Sequence, residues 1–216
     1  MSSSVQSQVP SRQVYADEQK YHWLPILLDS YAICDDGTSH DLADHIKTRG
    51  QSVACHKGCS ACCLNPMVPV SEIELRGISW YVSERLDVNT QDQLIPRLEN
   101  QQTSTECPFL LSNDCSIYPM RPIACRIFHV FNKVCAPHEH VDRTRPKDIF
   151  VQGRQTARRV AMRFLDGDVY GLKSNEEKER AFEEGIMLKM ATQMHEVNWK
   201  VLAFAINVVR QARGKQ

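Results

Sequence analysis

The sequence lacks a net charge, a long apolar run and an internal repeat. Twenty-six basic residues balance twenty-six acidic ones, so no overall field draws the chain to nucleic acid, and such a partner would need a local patch. The start, Met1 to Ser11, has neither a basic segment nor an apolar core, which predicts no signal peptide and no membrane span. Without an export signal the thiols should stay reduced, and we expect a cytoplasmic protein.

The periodicity predicts a mainly α fold. We expect a disordered tail over residues 1–13 and a single domain over 14–216. The expected helices are 17–33, kinked or restarted at Pro25 and ended by Asp35-Asp36-Gly37, then 41–47, 91–101 and 147–165. Capping boxes at Ser71 and Ser174 predict a helix whose apolar stripe ends near Leu86, and a long helix running towards Arg210.

Cysteine is the residue that the sequence has in excess. Four of the nine lie within nine residues, Cys55, Cys59, Cys62 and Cys63, and Cys59-Ser-Ala-Cys62 has the spacing of a turn that grips one ion. Because adjacent side chains diverge, Cys63 either serves a second site or is not a ligand. This cluster predicts a metal site.

A second set of thiols follows in a coil rich in proline, histidine and arginine: Cys107, Cys115, Cys125 and Cys135. The region 55–135 therefore offers enough soft donors for one four-thiolate site or two. An irregular coil of this length usually needs a staple, and we expect a metal to supply it, so that chelation or Cys62→Ser unfolds the middle of the chain. His56, His138 and His140 are alternative ligands.

Arginines accompany the second set of thiols. A four-thiolate zinc site carries about two negative formal charges, which predicts that Arg121 and Arg126 surround it; a solvated surface position is the alternative for each. Further on, a basic strip of Arg154, Arg158, Arg159 and Arg163 would lie on one helix, within the C-terminal helical region 147–212. A solvated helix face is its alternative, and we expect no nucleic-acid binding.

The cysteine segments resemble a known family. Cys55, Cys59, Cys62 and Cys63 are followed by Cys107-Pro-Phe-Leu, by Cys115-Ser-Ile-Tyr118-Pro-Met-Arg121-Pro122 and by Cys125-Arg126. This combination is similar to the YkgJ-type cysteine-cluster family, named for its CxxCxxCC motif and described as zinc- or iron-chelating. In the family motif two residues separate the first two cysteines, whereas three separate Cys55 from Cys59. The resemblance implies metal chelation, and Tyr118 joins the two arginines as a predicted neighbour of the thiolates.

The resemblance supplies no reaction, so several functions stay open. The first hypothesis is a zinc- or iron-binding protein. The second is an enzyme or redox partner that uses an iron–sulfur cluster, because flagellin lysine methylases look similar here and eight thiols exceed the four that one site needs. The third is a thiol redox sensor. No glycine-rich nucleotide loop and no Ser/His/Asp order stands out, so no catalytic residue is assigned, and a protein partner stays open.

Overall fold

The computed structural model describes residues 12–64, 67–101 and 104–213. These ranges are predominantly helical, which confirms the mainly α prediction, while the predicted tail 1–13 falls almost entirely outside them and stays a prediction. The α-helices in the described ranges are α1 (Trp23–Arg49), α2 (Glu72–Glu84), α3 (Val88–Glu99), α4 (Ile123–Ile127), α5 (Val141–Thr144), α6 (Arg154–Phe164), α7 (Asn175–Glu183), α8 (Ile186–Lys189) and α9 (Lys200–Arg213).

Two pairs of two-residue strands complete the described elements. Strand β1 (Pro69–Val70) pairs antiparallel with β4 (Thr192–Gln193), and β2 (Leu110–Leu111) pairs antiparallel with β3 (Asp114–Cys115). The first pair ties the start of α2 to the C-terminal part of the chain. The second is a hairpin inside the cysteine-rich region.

Of the kink or restart predicted at Pro25, the restart agrees with the structure, because a 3₁₀ turn (Ala16–Gln19) is followed by α1, which begins at Trp23. Helix α1 is continuous from there, so the predicted break at Asp35-Asp36-Gly37 was wrong. Pro25 is the third residue of the helix, where a backbone N–H has no intrahelical acceptor to lose. The helix runs on through Gly37 and ends at Gly50, which takes the left-handed conformation with φ 66°. The predicted separate helix over 41–47 is therefore the last third of α1.

Gly37 continues the helix because α6 lies against it. A Cβ atom at position 37 would stand 2.2 Å from Cγ2 of Thr156, a buried residue of α6. Glycine is thus a packing residue here, and the stability lost to its flexibility is offset by the close approach of the two helices.

The capping box before α2 is confirmed. Glu74 N–H donates to Ser71 Oγ, and Glu74 Oε2 accepts the Ser71 N–H at 2.8 Å. In the predicted stripe, Ile78 and Val82 are fully buried, and Leu75 and Leu86 are partly buried. The next helix begins earlier than predicted, at Val88 rather than 91, because the Asp87 side chain accepts the Thr90 N–H at 3.0 Å and caps it.

The C-terminal helices are shorter than predicted. Of the expected helix 147–165, only α6 (Arg154–Phe164) forms, since Ile149 pairs with Val130 in extended conformation. The capping box of Ser174 and Glu177 is confirmed, but the helix that it starts, α7, ends at Glu183, and Gly185 follows in the left-handed conformation with φ 67°. A long helix from Ser174 towards Arg210 was therefore wrong; α8, β4 and α9 take its place.

The main core lies among α1, α2, α3 and α9 and the hairpin β2–β3. Its largest fully buried side chains include Leu24, Leu27, Ile73, Ile78, Leu94, Leu98, Phe109 and Met120. Cys107 belongs to this core, and Cys63 and Cys115 pack against it. The core therefore supports the part of the cysteine region that contains Cys63, Cys107 and Cys115.

The predicted basic strip on α6 is largely neutralised by acidic partners. Arg154 pairs with Glu183, Arg158 with Glu179, and Arg163 with both Asp29 and Asp166. These pairs join α6 to α1 and α7. A phosphate contact would have to compete with them.

Candidate metal centre

The first cysteine cluster lies beside the segment that follows α4. Ala54 N–H donates to Val130 O at 2.8 Å, and Asn132 N–H donates to Ser52 O at 2.8 Å. The Val130 N–H also points at Cys55 Sγ, at 3.4 Å. The backbone thus holds Cys55 next to a segment about 75 residues further along the chain.

The cluster itself is built from tight turns. Gly58 has φ 79°, a conformation that favours glycine, and the turn closes with the Cys59 N–H on His56 O at 3.0 Å. A 3₁₀ turn, Ala61–Cys63, follows. The Cys63 carbonyl then accepts the Cys107 N–H at 2.7 Å, which joins the first cluster to the second set of thiols.

The hairpin β2–β3 positions Cys115. Ser112 and Asn113 both have positive φ, as a tight two-residue hairpin loop requires. The resulting register places Cys115 opposite Leu110, three residues after Cys107. Two cysteines that are eight residues apart in the sequence are therefore brought together by one hairpin.

Cys125 lies on the short helix α4, which Glu74 and Arg126 fix in place. Glu74 is 4% exposed, and its Oε1 accepts the Ile123 N–H at 2.8 Å. Arg126 is 6% exposed and pairs with Asp35 of α1 at 2.5 Å. Its guanidinium also donates to the carbonyls of Arg121 and Pro119, at 2.9 and 2.6 Å, and stacks on the Tyr31 ring.

Cys135 is approached by a second, partly buried arginine. Arg145 Nη2 lies 3.6 Å from Cys135 Sγ, while the same guanidinium pairs with Glu139 at 2.9 Å and Asp148 at 3.0 Å. The hydrogen bonds from Arg145 and from the Ala136 N–H lower the pKa of Glu139 to about 2. This cluster orders the loop that carries Cys135.

All nine cysteines are free thiols, and pairwise electrostatic interactions connect eight of them in one network. Cys62 is central, because its charge raises the pKa of each partner that it faces: Cys55, Cys63, Cys107, Cys115, Cys125 and Cys135. Cys59 acts in the same way on Cys55 and Cys135. Residues from four separate segments therefore converge on Cys62.

The thiols have unequal acidity. The Cys63 thiol donates to the Cys62 sulfur and, with help from Arg121, lowers the pKa of Cys62 to about 7; the pKa of Cys63 is raised in consequence. Burial raises the pKa of Cys107 to about 12 and that of Cys125 well above its usual value. At neutral pH, Cys62 is the thiol that most readily becomes a thiolate.

The donor chemistry fits a soft metal ion, although the thiols are not gathered into a finished ligand set. Among the described residues, no three His, Cys, Asp or Glu side chains already surround a point where a metal ion would bind. The expected metal staple for the coil is thus not seen. The backbone hydrogen bonds, Arg126 and Arg145 connect these segments instead.

The three predicted neighbours of the thiols have different environments. Arg121 lies within electrostatic range of Cys62 and Cys115: it helps to lower the pKa of Cys62 and partly offsets the rise that burial causes in the pKa of Cys115. Its guanidinium stacks on the exposed Tyr118 ring at 4.1 Å. Arg126 also offsets part of the rise in the pKa of Cys115, but its direct partners are Asp35, Tyr31 and two carbonyls. Neither arginine is a solvated surface residue.

Sequence reasoning missed Glu74, Asp35 and Arg145. Glu74 carried the capping-box signal, but nothing in the sequence indicated its second bond to α4. Asp35 was interpreted as part of a helix breaker. The spacing of Arg145, Glu139 and Asp148 in a loop has no periodic signal that a sequence pattern would detect.

The family match covers the region just described. Residues 54–148 match the CxxCxxCC family model, described as "Putative zinc- or iron-chelating domain". This confirms the resemblance to the cysteine-cluster family for just under half of the chain, from the residue before Cys55 to the partner of Arg145 in the Cys135 loop. Neither the curated proteins nor the solved structures give a match.

In residues 12–64, 67–101 and 104–213, no helix combines the length and the apolar character needed to cross a membrane.

Proposed function

We propose that this chain binds zinc or iron through the thiolates of its cysteine cluster. The observation that carries the proposal is the convergence on Cys62 of thiols from four segments, spread over 80 residues of sequence. Buried cysteines that serve only as small apolar residues have no reason to gather in this way. Soft sulfur donors at this density favour zinc or iron over magnesium or calcium.

We further propose that the eight thiols divide into a main group and a flanking group. The main group consists of Cys62, Cys63, Cys107, Cys115 and Cys125. Burial is the largest cause of the raised pKa of Cys107, Cys115 and Cys125, and other thiols of the group raise it further. The hydrogen bond to Cys62 raises the pKa of Cys63. The flanking group consists of Cys55, Cys59 and Cys135. Burial raises the pKa of Cys55 and of Cys135, and the nearby Cys59 and Cys62 raise it further. A tetrahedral site needs four thiolates, so the main group alone is sufficient.

Cys62 is the proposed entry ligand. It is the only exposed residue among the eight, and its lowered pKa supplies a thiolate near neutral pH. Metal ligation requires deprotonated thiols, so each bound ion should release protons from the more basic partners. Arg121, which lies within range of Cys62 and Cys115, would offset part of the negative charge of the bound thiolates.

Because the coil is already hydrogen-bonded, we propose that the metal stabilises this region locally and is not needed to fold the rest of the chain. Since Cys63 and Cys107, and Ala54 and Val130, are already joined through the backbone, the ion would bind to a framework that folds with the rest of the chain. Metal removal should therefore loosen the 55–135 region without unfolding α1, α2, α3 and α9.

The test is metal binding to protein purified without air, measured by elemental analysis and by titration against a coloured chelator. Wild type should hold at least one zinc or iron ion per chain, and Cys115→Ser should weaken binding at least tenfold. Cys135→Ser should have a smaller effect, because Cys135 lies outside the main group. Cys34→Ala, which removes a buried thiol of α1, is the control and should bind as wild type does.

The same samples test the alternative role. An iron–sulfur cluster, favoured by the number of thiols, predicts iron with an equal amount of acid-labile sulfide and a coloured protein. Zinc without acid-labile sulfide would support the chelating site and would exclude the iron–sulfur cluster. Wild-type protein that binds neither metal tightly, or Cys115→Ser that binds as well as wild type, would contradict the proposal.

A further inference from the structure

A cleft of about 250 Å³ lies between the middle of α1 and the segment 118–129. It contains none of the predicted metal ligands, although Arg121 in its wall also lies within electrostatic range of Cys62 and Cys115. Its apolar side includes Leu28, Ala32 and Leu42. Its polar side includes Tyr31, Asp35, Arg121, Arg126 and His129.

Three buried polar atoms in this wall have no hydrogen-bond partner among the described residues. They are Tyr31 Oη, Arg121 Nε and His129 Nδ1, and Tyr31 is only 3% exposed. The backbone carbonyl of Ile127 also approaches the His129 ring, so the argument rests on Tyr31 and Arg121. Buried polar groups are almost always paired, and an unpaired one indicates a missing partner.

Both atoms are hydrogen-bond donors, which defines the missing partner as an acceptor. A guanidinium Nε–H can only donate, and a phenol with no nearby acceptor also donates. Tyr31 and Arg121 both line the cleft, so a group that reaches the two covered donors would be rich in oxygen.

The charges of the wall favour a single negative charge on the ligand. Arg126 is paired with Asp35, and Arg12, at the rim, is paired with Glu18 and Asp29. Arg121 lies within electrostatic range of Cys62 and Cys115 but makes no ion pair with a carboxylate of the described residues, so a ligand anion would displace no such partner from it. Because Asp35 shares the wall, a doubly charged phosphate would be repelled more strongly than a carboxylate.

We propose that this cleft binds a small organic carboxylate, with the carboxylate on Tyr31 Oη and Arg121 Nε and the apolar part against Leu28, Ala32 and Leu42. The site is distinct from the thiols, but Arg121 connects the two. A bound carboxylate would contact the same arginine that lies within electrostatic range of Cys62 and Cys115.

The test uses benzoate and butyrate as probes, with benzamide as a neutral shape control and inorganic phosphate as a competing anion. Isothermal titration on the full chain should show that both carboxylates bind and that benzamide does not. Tyr31→Phe removes only the hydroxyl and should weaken benzoate binding on the order of tenfold. Since that hydroxyl is unpaired, the thermal midpoint of the variant without ligand should not fall.

Two matched controls locate the effect. Tyr170→Phe removes another buried tyrosine hydroxyl outside the cleft, and Arg158→Gln removes an exposed α6 arginine; both should bind benzoate as wild type does. Arg121→Gln should weaken benzoate as Tyr31→Phe does. Metal content, measured on each variant, should be unchanged in Tyr31→Phe, so that loss of the carboxylate site and loss of the metal site are told apart.

The proposal is overturned if no carboxylate probe binds at millimolar concentration, if benzamide or phosphate binds as tightly as benzoate, or if Tyr31→Phe binds benzoate with wild-type affinity.

Discussion

Arg126 is the residue that connects the cysteine region to the helical core. Its guanidinium pairs with Asp35 of α1, donates to two carbonyls of the 118–121 turn and stacks on Tyr31. A buried charge with this many partners has little net effect while it is intact, but it is costly to break, because the partners are left unpaired.

We expect Arg126→Met to lower the free energy of unfolding by about 3 kcal/mol, since it leaves Asp35 and two carbonyls without a donor. Arg154→Gln, which breaks an exposed pair with Glu183, should change it by no more than about 0.5 kcal/mol. Urea denaturation of both variants measures the difference. Equal, small effects would show that Arg126 does not anchor the region.

Glu74 predicts a pH dependence of stability. Burial raises its pKa above the usual value despite the donors of Ser71 and Ile123, so the folded state binds the proton more tightly than the unfolded state. The stabilisation from this group is complete below its unfolded pKa, about 4.3, and is lost as the pH rises through the higher folded pKa.

Glu74→Gln has no such titration. The free energy of unfolding of wild type minus that of Glu74→Gln should therefore decrease as the pH rises from about 4 towards 7. Denaturant titrations over that range measure the difference, and carbon NMR of the Glu74 carboxyl gives its pKa directly. A difference that grows with pH would mean that the hydrogen bonds of the charged form outweigh burial.

At the scale of elements, the contact between α1 and α6 is set by Gly37. Because a Cβ atom there would overlap the Thr156 side chain, we expect Gly37→Ala to destabilise the protein by about 1–3 kcal/mol, although alanine favours helices elsewhere. Thermal or urea unfolding of Gly37→Ala and wild type measures this loss of stability.

Thr156→Ala gives the matched control for that contact. It removes the two atoms nearest the new methyl group, so the double variant should be less destabilised than the sum of the two single variants. Additive effects would place the strain elsewhere.

Two helix starts were predictable from the sequence because a capping box marks them, at Ser71 and Ser174, whereas the single cap of Asp87 was missed and α3 begins earlier than predicted. Helix ends were not predictable where a tertiary contact determines whether the helix continues. Gly37 has the composition of a breaker but continues α1 because α6 requires a small residue, whereas Gly185 ends α7 in the left-handed conformation. A single sequence does not distinguish these two glycines.

At the scale of the whole molecule, the metal-site prediction depended on the spacing of Cys59 and Cys62 and on the number of thiols, both of which are local properties of the sequence. The division into two groups that we propose was not predictable, because it depends on the hairpin that brings Cys107 and Cys115 together and on the pairing of segments 52–54 and 130–132. The same holds for the cleft beside α1, whose wall comes from two distant segments. Pairing between distant irregular segments produces no periodic pattern in the sequence, so it could not be predicted.

The central claim is that thiolates hold the metal, and X-ray absorption at the zinc or iron edge of the metal-loaded protein tests it most directly. A zinc site in the main group predicts a first shell of four sulfur atoms at about 2.3 Å, and an iron site likewise predicts a sulfur shell. A first shell of nitrogen and oxygen atoms at about 2.0–2.2 Å would contradict the account, because the metal would then be bound by groups other than the cysteine cluster.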